Sequence, residues 1–285
     1  MSQTWSSLFL PTHDSPAVAG ALRDILKGRG YEPYDPFPGG TGTPPGWSDL
    51  VRQFVAPARE GWVRVLGEPV EAALPELSRG LDLPVIHGWL SEQDGGFALI
   101  DGATRHTDPV VFERYLRPGE SFERLRRAWH GELPVEPAAS GQPPVAVAGA
   151  DDLPPDIRQL AEEKGVDARR AGKLFEKLSG SLFGKLARDA GAEAGDEQDQ
   201  ARALLMGGGR DIWNSLHGQR VRAIAGVLAL PDAWRTPDWD AVREAYHVHR
   251  LRERNPRMPL MPGDKEAMDA VPDALSYLPV YMGKA

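Results

Sequence analysis

Over the first 130 positions, apolar residues shift between strand-like runs and helical stripes. Trp5 to Leu10 is a short apolar run of strand length. His13-Asp14-Ser15-Pro16 follows, a side-chain cap with proline in the first helical turn, where its missing N–H costs nothing. Ala17, Ala21, Leu22, Ile25 and Leu26 then form one helical stripe, and Gly28 and Gly30 end it. Residues 31–46 hold too many prolines and glycines for regular structure. Strands are expected near 50–56 and 62–66, joined by a tight turn at Ala58-Arg59-Glu60-Gly61. A helix over about 70–79 carries Ala73, Leu74 and Leu77. Residues 84–90 and 97–100 form the clearest hairpin, with Asp94-Gly95-Gly96 expected to supply positive φ angles. An Arg-rich helix over 121–130 closes the region. The order β-α-β-β-α-β-β predicts an antiparallel or mixed sheet with helices on one face.

Residues 132–155 carry six prolines among Ala, Gly and Ser, and read as a semi-extended linker. Beyond it the period becomes helical, over 156–164, 167–190, 198–206, 211–230 and 238–254. The tail from Pro256 onward combines five prolines with Met258, Leu260, Met261, Tyr277, Leu278 and Tyr281, and is expected to wrap a surface as ordered coil. The pattern therefore predicts an α+β fold: a sheet domain over 1–131, a linker over 132–155, and an all-α domain with an irregular tail over 156–285.

Composition alters this picture little. Hydrophobic residues make up 41% and charged residues 26%, an ordinary globular mix. The formal charge of −8 disfavours a protein coated in nucleic acid. Among 33 basic residues only seven are Lys, and the excess of Arg suits bidentate binding of phosphate or carboxylate. Without cysteine there are no disulfides, thiolate metal sites or thiol nucleophiles. No basic region followed by an apolar stretch opens the chain, and no apolar run is long enough to span a bilayer, so a cytoplasmic location is expected.

Two basic clusters stand out. Residues 157–178 resemble a helix-turn-helix motif: Ala161 where the helices would touch, Gly165 in the turn, and apolar Val166, Ala171 and Leu174 beyond it. Asp167 would cap the second helix, placing Arg169 and Arg170 in its first turn, where base edges and phosphates are met. Lys173 and Lys177 continue that basic face. Lys164 departs from the motif, because that position usually faces the core. In the second cluster, Arg243, His247, Arg250 and Arg254 share one helical face at spacings of four, three and four. That face suits an anion or an acidic partner, though Glu244 and Glu253 could pair with it. His247-Val248-His249 would diverge on a helix, so no metal site is expected.

Nucleophile elbows, zinc-binding helices, dinucleotide fingerprints and kinase signatures are all missing from the sequence. No cofactor and no small-molecule ligand are implied. The expectation is a non-enzymatic binding or regulatory protein acting through protein contacts. DNA binding through 157–178 is the first alternative, and an enzyme of unrecognised type the second.

Overall fold

The computed structural model describes residues 4–133, 212–257, 259–261 and 263–285. The helix-turn-helix-like segment 157–178 lies outside them, as does nearly all of the expected linker. Residues up to Val135 and from Ile212 onward form one compact unit.

The unit is α+β. Eight strands run β1 (Trp5–Leu10), β2 (Glu32–Pro33), β3 (Asp49–Val55), β4 (Val63–Leu66), β5 (Val85–Leu90), β6 (Gly95–Asp101), β7 (Thr104–His106) and β8 (Leu278–Lys284). They make one sheet in the order β2-β8-β3-β4-β1-β5-β6-β7, and every pairing is antiparallel. The helices are α1 (Ser15–Gly28), α2 (Leu74–Leu81), α3 (Phe122–Trp129), α4 (Leu216–Val227), α5 (Trp239–Arg254) and α6 (Asp264–Ala270). Short 3-10 turns punctuate the connections, the longest over Pro109–Tyr115.

Several local expectations hold. Asp14 accepts a hydrogen bond from the Ala17 N–H at 2.8 Å and starts α1, with proline in its first turn. The tight turn before β4 places Glu60 and Gly61 at φ 53° and 83°. The hairpin turn differs. Neither Gly95 nor Gly96 has positive φ, because both already lie in β6 and the turn is formed by Ser91–Asp94. Gly95 is needed for space: a Cβ there would lie 2.7 Å from Leu90 Cδ1 and 3.1 Å from Val221 Cγ2.

Helices cover both faces of the sheet, not one. On one face α1 and α2 seal Leu8, Leu10, Val51, Val55, Val63, Val65, Val280 and Met282. On the other, α3 and α4 cover Phe9, Ile86, Leu90, Phe97 and Leu99, while α5 and the 34–37 loop cover Phe54, Leu66 and Tyr281. The cause is legible in the strands. All four residues of β4 are buried, as are residues 95–100 of β6, and such continuous burial requires cover on both sides.

Residues 212–285 therefore do not build a separate all-α domain. Helices α4 and α5 pack on the sheet, and the tail expected to be coil supplies β8, a seven-residue strand between β2 and β3. Its side chains alternate between the two cores: Val280 and Met282 to one, Tyr281 to the other.

Between the two cores on the α4–α5 face sits Arg64, only 7% exposed. Its guanidinium donates to Ser7 Oγ at 3.0 Å and to the carbonyls of Ala233, Arg235 and Pro237 at 3.3, 3.1 and 3.0 Å. One strand side chain thus holds the whole α4–α5 connection against the sheet. Burial lowers its pKa to about 10, and the group remains charged at neutral pH.

Candidate functional site

Where α5 crosses the β3–β8 end of the sheet, the 34–43 loop does not fill the space, and a cleft of about 510 Å³ remains. Four segments line it: the loop (Tyr34, Phe37, Thr43), the strand pair (Arg52, Tyr281), α5 (Trp239, Arg243, Glu244, His247, Val248) and the first residue of α6 (Asp264).

Strand register sets the floor. Arg52 on β3 is the direct partner of Tyr281 on β8, so both side chains leave the sheet on the α5 side. Arg52 is exposed and has one polar partner among the described residues, Tyr34 Oη at 3.4 Å from its Nε. No carboxylate in that set pairs with it. The Tyr281 hydroxyl is buried without a hydrogen-bond partner among the described residues, as is Trp239 Nε1. Burial pushes the Tyr281 pKa up, so its hydroxyl keeps its proton.

The α5 wall brings in two of the residues singled out by sequence. Arg243 lies over the Trp239 ring at 5.2 Å and reaches Asp240 Oδ1 at 3.6 Å, leaving its charge partly answered. His247 lines the cleft one turn later. Arg250 and Arg254 share the face but serve the loop. Arg250 bonds Asp35 Oδ2 at 3.3 Å and the Pro38 carbonyl at 3.4 Å. The Arg254 side chain lies where a Cβ on Gly39 would stand, 2.6 Å from its Nη1. The face read as a four-residue anion grip divides in two: Arg243 and His247 face the cleft, while Arg250 bonds its loop and Arg254 lies against Gly39 of that loop. Arg169, Arg170, Lys173 and Lys177 lie outside the described residues.

Sequence reasoning missed Arg52, Tyr34, Trp239 and Tyr281. Arg52 stands beside Gln53 between apolar pairs of a strand (Leu50-Val51-Arg52-Gln53-Phe54-Val55), and nothing local marks it as a site residue. Only the pairing with a strand 229 positions later gives it a pocket.

Other polar groups yield less. His87 Nε2 lies 3.1 Å from Ser6 Oγ, which suggests a nucleophile and its base. Its Nδ1, however, has no partner among the described residues, so the carboxylate that orients a catalytic imidazole is missing. Burial, aided by Arg105, holds the ring neutral, with a pKa of about 3. Among the described residues no group of three or more His, Asp or Glu could hold a metal, and His247 and His249 diverge on α5 as expected of a helix. No described helix is long and apolar enough to cross a membrane. Comparison with protein families, with curated proteins and with solved structures finds no match.

Proposed function

We propose that this is a non-enzymatic binding protein that acts through contacts with a partner protein, and that the cleft beside α5 is its contact point. The observation that carries the reading is the cleft's lining: Tyr34, Arg52, Trp239, Arg243 and Tyr281 gather around one depression. Tyr, Trp and Arg are the residue types that dominate binding energy at protein interfaces, because they join large apolar area to a few directed hydrogen bonds. Close in sequence to the Asp264 side of the cleft, Leu260 and Met261 are 38% and 64% exposed.

Capture from the native cell tests this, with wild-type protein beside the Arg52→Ala/Arg243→Ala double variant. A stoichiometric protein recovered by the wild type and lost by the variant supports the reading. Recovery by both places the interaction elsewhere on the chain, and recovery by neither removes the proposal.

A further inference from the structure

The cleft's unmet hydrogen-bonding needs define what would complete it. Among the lining residues, the exposed guanidinium of Arg52 has no acceptor for its terminal nitrogens in the described set; the indole N–H of Trp239 and the hydroxyl of Tyr281 also lack one, but both atoms are buried within the wall. A guanidinium donates only. The missing complement is therefore a group rich in acceptor oxygens. A guanidinium fork fits carboxylate and phosphate alike, so Arg52 does not choose between them.

The rim chooses. Glu244 and Asp264 also line the cleft, and Asp240 already draws on Arg243. A doubly charged phosphate monoester would meet two carboxylates among the lining residues, with Arg52 free of any carboxylate in the described set and Arg243 partly answered by Asp240. A singly charged group meets less repulsion and still satisfies the fork. Around these polar atoms the walls are Phe37, Val248 and the rings of Tyr34 and Trp239, which suit an apolar or aromatic body beside the charge.

We infer that the cleft recognises a single carboxylate of the partner, held next to an aromatic or apolar side chain, with Arg52 as its principal ligand. This deepens the binding reading above and rests on it. Arg52 sets the charge and direction, the rings of Trp239 and Tyr34 flank the bound group, and Glu244 with Asp264 disfavour a dianion.

Three fluorinated probes of one shape test it on the full chain by ligand-observed fluorine NMR: 4-fluorophenylacetate, 4-fluorophenyl phosphate and 4-fluorobenzyl alcohol. The acetate is expected to bind saturably, the phosphate at least roughly fivefold more weakly, and the alcohol not measurably. Arg52→Gln should weaken acetate binding by about tenfold or more, with the melting temperature recorded alongside. Should that variant lose its fold, Arg52→Lys keeps the charge without the fork and is expected to weaken acetate several-fold. The pair Glu244→Gln/Asp264→Asn should strengthen phosphate binding more than acetate binding. Equal binding of acid and alcohol overturns the inference, as does tighter binding of phosphate, or indifference to Arg52. Acetate binding that obeys these rules in a protein that captures no partner preserves the carboxylate site and removes the protein-partner reading. Partner capture lost in the double variant, with probes that do not discriminate, does the reverse.

Discussion

Arg52 and Tyr281 stand directly opposite one another across the β3–β8 ladder, although 229 positions separate them in the chain. Among the described residues the first has no carboxylate partner, and the hydroxyl of the second is buried with no hydrogen-bond partner. Because β8 carries half of this pair and lies inside the sheet, the candidate site depends on the last strand of the chain as much as on the first hundred residues.

That dependence predicts how truncation behaves. Removing residues 278–285 takes away the strand between β2 and β3, and with it Val280, Met282 and Tyr281 from the two cores. The shortened chain is expected to lose cooperative unfolding. In the intact protein, hydrogen exchange at β8 amides should be as slow as at β3, and β8 amides exchanging like those of a free terminus would contradict the topology.

Arg64 offers a sharper energetic test. Arg64→Met keeps much of the buried stem but leaves the carbonyls of Ala233, Arg235 and Pro237 without their donor. Destabilisation of about 1–3 kcal/mol is expected in urea unfolding, the range for leaving buried neutral acceptors without their donor. A loss below about 1 kcal/mol would show that water replaces the guanidinium without difficulty.

His87 should leave a mark on the acid side of the stability curve. Its folded pKa of about 3 lies below the unfolded value of 6.5, so the unfolded chain binds the extra proton. Stability then falls as pH drops from 6.5 towards 3, by about 1.4 kcal/mol per unit at most, and the contribution is constant above 6.5. His87→Gln should flatten the slope between pH 6 and 4 by up to roughly one proton, measured by urea unfolding across that range. An unchanged slope would mean that the ring protonates in the folded state.

Two glycines in α4 should respond oppositely to alanine. At Gly218 a Cβ would lie 2.3 Å from the Ile212 carbonyl oxygen and 2.6 Å from Trp213 Cα, both backbone atoms that cannot swing aside. Gly218→Ala is expected to cost about 1–3 kcal/mol. Nothing lies within 4 Å of a Cβ at Gly226, and Gly226→Ala should stabilise by about 0.5–1 kcal/mol. Thermal melts of the two variants should shift in opposite directions.

Read alone, the sequence determined the elements whose signals are local. The Asp14 cap, the Gly30 stop, the turn at Glu60-Gly61, the 85–101 hairpin and the α5 helix each follow from residues within a few positions of one another. Arg243 and His247 were visible for the same reason, since helical spacing alone puts them on one face. Tertiary structure decided the rest. Prolines before Leu278 suggested coil, yet a strand needs only a partner with free backbone groups, and β3 supplied one. The fit of a single interior also decided that helices cover both faces and that Arg52 opens into a cleft. Hydrogen bonds between strands and burial between layers act through space at any sequence separation, so no short-range pattern in the chain records them.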